Sequence, residues 1–169
     1  MSSARFYYIY GLYFDSTRNQ LLISDPQNNR VKVLDFKCKF IFTLSSLLFI
    51  KIIQIYYFFQ IDNNVTTIFG NGTASSVDGP VTIARINQPW GISINPITQE
   101  VYIAEYGVGD IRGWNRTSQT VRTVAIFGLY SDLKYLDFLN DGTLFISTLT
   151  NGLVKYFLNG SFPLYFQNF

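Results

Sequence analysis

Asp25, Asn28, Asn29 and Arg30 form the most conspicuous polar cluster in this 169-residue chain. A carboxylate, two amides and a guanidinium together offer both donors and acceptors to a ligand. Two roles fit such a run. It is either a loop presenting ligand-binding groups, or a turn that Asp25 and Asn28 shape by bonding backbone groups. In the second case Arg30 pairs with a neighbouring structural unit.

Other chemistry is narrow. The chain has no histidine and one cysteine, Cys38. A Ser-His-Asp or Cys-His site needs an imidazole, most catalytic zinc sites need His ligands, and a disulfide framework needs a second cysteine. Gly70-Asn71-Gly72-Thr73, followed by Asp78-Gly79, lacks the Gly-Lys-Ser/Thr ending of a phosphate loop. It reads as a connector. Asp78, Asp110 and Asp141 do not have calcium-loop spacing. We therefore expect no cofactor, no metal and no enzymatic activity.

The 13 Lys and Arg are scattered and offset by 11 Asp and Glu, for a net charge of +2. That disfavours nucleic acid, which needs clustered cations. Tyr7, Tyr8, Tyr10, Trp90, Tyr102, Tyr106 and Trp114 have the chemistry to stack on bases or sugars, or to fill space between packed units. Four Asn-x-Ser/Thr sequons, at Asn64, Asn71, Asn115 and Asn159, offer glycan acceptors and tilt the expectation towards an exported or surface protein.

The elements that position these groups are strands. Gly11-Leu12-Tyr13-Phe14 is followed by a polar turn, then by Leu21-Leu22-Ile23-Ser24 and by Arg30-Val31-Lys32-Val33-Leu34-Asp35, whose alternation predicts a half-buried strand. Val65–Phe69 supplies a fourth. The order returns in Gly91–Ile94, Val101–Ala104, Asp110–Trp114 and Thr120–Val124, and again, degenerately, from Leu136 through the Asn140-Asp141-Gly142 turn to Phe157. From Ala4 to Leu34 the first copy matches the second at a fixed offset of 80 residues: Tyr10 with Trp90, Asp25 with Glu105, Lys32 with Arg112. A constant offset marks a repeat architecture. Four short antiparallel strands per repeat mark propeller blades.

The residues Gly11-Leu12-Tyr13-Phe14-Asp15 and Leu22-Ile23-Ser24-Asp25-Pro26-Gln27-Asn28-Asn29-Arg30-Val31-Lys32-Val33 resemble the NHL-repeat β-propeller family. So does the linker Thr67–Thr73, with Asp78-Gly79 and Ala84–Gly91. The second copy departs at Tyr106-Gly107-Val108-Gly109-Asp110, which lacks the Asn and Arg. The resemblance implies a scaffold whose loops bind proteins, peptides, glycans or RNA. It also implies six-bladed-like organisation, and related propellers include a lyase that uses His ligands.

The first copy carries 24 more residues between its third and fourth strands than the second. Cys38 to Ile61 fills that gap without one Gly, Pro, Asn, Asp or Glu. Residues 40–61 are long enough to cross a membrane, although Lys51 and Gln54 sit near the middle. A long hairpin would expose a large apolar surface. A third reading is a translated intron, because Phe, Ile, Lys and Tyr are encoded by A/T-rich codons. Without the segment the repeat period is near 56 residues.

The expected fold class is all-β: a partial β-propeller of four-stranded NHL-like blades, interrupted by an apolar insertion. Residues 1–37 form the first blade's initial strands and 38–61 the insertion. Residues 62–128 hold the closing strand, linker and second blade, and 129–169 a degenerate third. The expected function is a non-enzymatic scaffold for protein or peptide binding, part of a larger protein. An RNA-binding propeller and a membrane-associated extracellular propeller are the alternatives. Open blade edges are expected to self-associate.

Overall fold

The computed structural model describes residues 6–36, 65–128, 132–149, 152–156, 158 and 164–166. The insertion 38–61, with its membrane-spanning reading through 40–61, lies outside these residues, as do Asn64 and Asn159. Among the described residues no helix is long and apolar enough to cross a membrane.

Three antiparallel sheets follow one another along the chain. The first is β1 (Gly11–Asp15), β2 (Gln20–Asp25), β3 (Arg30–Asp35) and β4 (Val65–Phe69), paired in chain order. The linker contributes a two-residue strand, β5 (Gly79–Pro80). The second sheet is β6 (Pro89–Ile94), β7 (Val101–Glu105), β8 (Asp110–Asn115) and β9 (Thr120–Ile126), with β5 added outside β9. The third is β10 (Leu133–Phe138), β11 (Leu144–Thr148), β12 (Gly152–Tyr156) and β13 (Leu164–Phe166). The repeat is visible in the register itself. Leu12 pairs with Ile23 and Ile23 with Lys32; eighty residues on, Ile92 pairs with Ile103 and Ile103 with Arg112.

Three of the turns between strands are built alike, two of them at the same repeat position. The side-chain oxygens of Asp15, Asn95 and Asn115 each accept backbone N–H groups two and three residues on. Asn19, Gln99 and Gln119, four residues after each acceptor, take the left-handed conformation that lets the chain reverse. Short polar side chains dictate these corners, so the strands on either side need only supply apolar faces.

The core is two slabs between blades. Leu22, Val31, Val33 and Phe69 of the first blade meet Ile92, Ile94, Ile103 and Trp114 of the second. The opposite face of the second blade, with Tyr102, Ala104 and Ile111, meets Leu133, Leu136, Leu144, Ile146 and Val154 of the third. Covered on both faces, β7 is buried along its whole length. Alternation in β3 predicts a half-buried strand, yet Lys32 is as buried as Val31 and Val33. The reason is an ion pair: Lys32 Nζ donates to Asp25 at 2.6 Å and lies 4.4 Å from the centre of the Phe6 ring.

Candidate binding face at the linker end of the blades

Antiparallel pairing brings four kinds of chain segment to one end of the array: the approach to β1, the approach to β6, and the β2–β3 and β7–β8 loops. The polar cluster lies there. Asp25 is fully buried and accepts from Tyr7 N at 3.2 Å, Asn28 Nδ2 at 2.8 Å and Lys32. Pro26–Asn28 form one 3-10 turn, and Asn29 follows it in the left-handed conformation. Asn29 Nδ2 donates to Gly72 O at 3.3 Å, its Oδ1 accepts from Gln88 N at 2.8 Å, and Arg30 donates to Asn71 O at 3.1 Å. Asn28 and Arg30 remain half-buried. The four residues are thus brought together, with their hydrogen bonds running to the loop itself, to Tyr7 and Lys32 of the first blade, and to the linker that feeds the second blade.

The second blade repeats the device with longer side chains. Glu105 stands where Asp25 stands and accepts from Asn87 N at 2.8 Å, as Asp25 does from Tyr7 N. Arg112, in the place of Lys32, is wholly buried and pairs with Glu105 at 3.3 Å and with Asp78 of the linker at 2.6 Å. Asp78 also accepts from Thr123 N and Oγ1. Burial pushes the Glu105 carboxyl up, against the Arg112 charge and the hydrogen bonds from Ser76 and Asn87. In the first two blades, a buried acid–base pair therefore ties the blade to the segment that enters it.

Beside these pairs lies a stack of aromatic rings. Tyr10 and Trp90, at one repeat position, stack with centroids 4.2 Å apart, and Trp90 stacks on Tyr106 at 4.6 Å. Lys134 Nζ lies 3.5 Å from the Trp90 ring centre and 4.1 Å from that of Tyr106. Burial pushes the Lys134 pKa down, opposed by Asp132. Tyr10 keeps 41% of its surface exposed. The result is a partly solvent-facing aromatic shelf with a cation set into it. Of the four remaining aromatics two are packing residues: Trp114 sits in the first slab near Phe69, and Tyr102 in the second against Phe138, while Tyr7 and Tyr8 are exposed and meet each other edge to face.

Charges at the opposite end also serve structure. Arg116 of the second blade reaches Asp15 of the first, which Arg18 also pairs at 3.1 Å. Burial pushes the Asp15 carboxyl up, but hydrogen bonds from Thr17, Arg116 and Arg18 and the Arg116 charge outweigh it, holding its pKa at about 2. A folded-state pKa below the ordinary 3.8 gives stability that is present above that value and lost as pH falls through about 2. Asp15→Asn should cost up to about 2 kcal/mol at neutral pH and progressively less towards pH 2, read from urea midpoints across a pH series. A cost that does not change with pH contradicts this.

The sequon residues Asn71 and Asn115 are exposed, and each uses its side-chain oxygen to accept a turn N–H. A cleft of about 290 Å³ between β4 and the 81–85 turn is lined by Thr67, Phe69, Val81, Ile83 and Arg85 among others, and by none of the stacked aromatics. Among the described residues no group of three acidic, cysteine or histidine side chains is placed to hold a metal ion.

No protein-family profile matches the chain. NHL repeat-containing protein 2 of Bos taurus is 27% identical over 126 residues, 74% of this chain. A chain from the crystal structure of a nidogen/laminin complex superposes with a TM-score of 0.61 at 12% identity, over 93% of this chain and 47% of that one. The blades are those of a β-propeller, and their sequence is similar to that of an NHL-repeat protein. The chain spans 14% of the length of the curated relative it matches.

The virginiamycin B lyase of Staphylococcus aureus also shares the fold, with a TM-score of 0.50 at 10% identity, over 95% of this chain and 55% of that one. That finding corrects the expectation that the chain is not an enzyme. An enzyme is built on this architecture, so the propeller cannot serve to exclude catalysis, and the missing histidines exclude only chemistry that needs an imidazole.

Proposed function

We propose that this NHL-type scaffold binds a protein or peptide partner at the linker end of its blades, with Tyr10, Trp90, Tyr106 and Lys134 as the central contact surface. The aromatic shelf carries the reading. Stacked rings present rigid apolar area at low entropic cost, and aromatic residues with a nearby cation are typical of the energetic centres of protein interfaces. The half-buried Asn28 and Arg30 of the Asp25–Arg30 loop form a polar rim at the same end. The cations weigh against RNA: Arg18, Lys32, Arg112, Arg116 and Arg122 are each paired with a carboxylate, so they do not make the free basic face that phosphates require. The structural neighbour from a nidogen/laminin complex is a precedent for a propeller within a protein–protein assembly.

Selection of a phage-displayed random peptide library on the immobilised chain tests the proposal. Peptides that bind the wild type should lose at least about tenfold in affinity on Tyr10→Ala, a change of about 1.4 kcal/mol or more. Selected peptides that bind Tyr10→Ala and Lys134→Ala as tightly as wild type would place the site elsewhere.

The exposed sequons extend this reading to an exported protein. Secretory expression should add glycosidase-removable mass at Asn71 and Asn115, and an unmodified chain from such expression would remove the glycoprotein reading.

A further inference from the structure

The linker that enters the second blade pairs with that blade's outer strand, Gly79 against Val121 and Pro80 against Thr120 of β9. Just before this pairing, the Asp78 carboxylate accepts from Thr123 N and from Thr123 Oγ1, both at 3.0 Å. Thr123 has a counterpart in the first blade. The β3–β4 and β8–β9 ladders shift register at the same place, after Val31 and after Ile111. Beyond the shift Thr67 pairs with Lys32 as Thr123 pairs with Arg112. Thr67 thus carries the same N–H and hydroxyl at the same register of an outer strand, and it is exposed. Among the described residues no carboxylate bonds to it.

Thr67 also lines the cleft between β4 and the 81–85 turn, together with Phe69, Val81, Ile83 and Arg85. Arg85 is half-buried and stands apart from the other arginines. Arg18, Arg112, Arg116 and Arg122 each pair with a carboxylate, and Arg30 donates to Asn71 O. Among the described arginines Arg85 alone has no partner for its side chain. A guanidinium is best matched by a carboxylate or phosphate, which it meets through two parallel N–H···O bonds. Phe69, Val81 and Ile83 give the cleft an apolar wall, which an inorganic anion would not use. The free edge of β4 offers backbone groups to which an extended peptide can add as a further strand. Charge and shape together therefore point to a carboxylate carried on a peptide.

We propose that the cleft between β4 and the 81–85 turn binds an acidic peptide of a separate polypeptide, laid as an added strand along β4. Its carboxylate takes the place at Thr67 that Asp78 occupies at Thr123, and Arg85 supplies the countercharge. A glycine after the acid, opposite Val65, is favoured, because Gly79 holds that place against Val121 with φ 133°. This site is additional to the aromatic shelf, none of whose residues lines the cleft.

The probe is a fluorescent synthetic peptide with capped ends that copies residues 75–82, titrated with the full 169-residue chain and followed by anisotropy. It should bind saturably, and more weakly as salt rises. The peptide with Asp78→Asn should bind at least about tenfold more weakly, and so should the unchanged peptide to the Arg85→Gln protein. Thr67→Val, which removes one hydroxyl donor, should weaken binding at least about threefold. Tyr10→Ala should leave it unchanged, which separates failure of this site from failure of the shelf. Far-UV circular dichroism verifies that each protein variant is folded. If Arg85→Gln does not fold, the Asp78→Asn peptide decides, since it leaves the protein intact. Absence of saturable binding overturns the proposal, and equal binding of the Asp and Asn peptides overturns the carboxylate. Binding that ignores both Arg85→Gln and Thr67→Val overturns the placement. Self-association of the chain that Arg85→Gln abolishes would give the edge to a second copy and overturn a separate partner.

Discussion

Arg112→Met should remove about 3–5 kcal/mol of stability, a large part of the roughly 5–15 kcal/mol typical of a whole domain. Arg112 is fully buried between Glu105, also fully buried, and Asp78 of the linker. Taking away the guanidinium leaves the Glu105 carboxylate in the interior with only Ser76 and Asn87 N as donors. The loss should depend on pH in a definite direction. Burial already pushes the Glu105 pKa up, and without Arg112 it rises further above its unfolded value. Protonated Glu105 then favours the fold below the unfolded pKa, and that contribution is lost as pH rises through the folded pKa. Urea denaturation should find the variant least impaired in acid and most impaired at neutral pH. The double change Arg112→Met with Glu105→Leu should recover most of the loss, because it leaves no unpaired charge behind. If Arg112→Met costs under about 1 kcal/mol at neutral pH, the pair does not hold the linker to the blade.

Gly91→Ala should be the next most damaging change. A Cβ at Gly91 would fall 2.8 Å from Lys134 O, 2.8 Å from Tyr135 Cα and 2.9 Å from Leu136 N. All three are backbone atoms of β10, so no side chain can swing aside. A Cβ at Gly11, one repeat earlier, would run into the carbonyl oxygen of Trp90. The glycine at this repeat position lets consecutive inner strands approach each other. Alanine must push blades apart, at about 1–3 kcal/mol for ordinary overpacking and more where backbone has to move. Thermal unfolding of Gly11→Ala and Gly91→Ala should show comparable losses, since both sit at equivalent junctions. An unchanged midpoint for Gly91→Ala would mean that β6 and β10 are not in contact.

The strands were legible because apolar residues and reversal residues recur together. Asp15 and Asn95 sit at matching corners, and Ile23 and Ile103 at matching strand centres. The short β5 and β13 were not. Gly79-Pro80 has no apolar pattern and becomes a strand only because the edge of β9 is there to pair with it. Leu164–Phe166 likewise gains its strand character from β12. Charge in the interior was the harder signal. Lys32 and Arg112 look like solvent-facing members of alternating strands until Asp25 and Glu105 are brought across from the neighbouring strand. The stacking of Tyr10 on Trp90 follows from their shared repeat position. The third member, Tyr106, comes from a loop where the two copies diverge, and Lys134 comes from the next blade, so neither follows from the repeat.

The chain's two tryptophans provide the most direct test of the binding face. Trp90 belongs to the shelf, and Trp114 is buried in the slab between the first and second blades. Their indole N–H resonances, assigned by Trp114→Phe, should respond differently to titration with a peptide selected on the chain. We predict a saturable shift of the Trp90 signal with the Trp114 signal unmoved. A selected peptide that saturates the protein while leaving Trp90 unperturbed would contradict the assignment of this face.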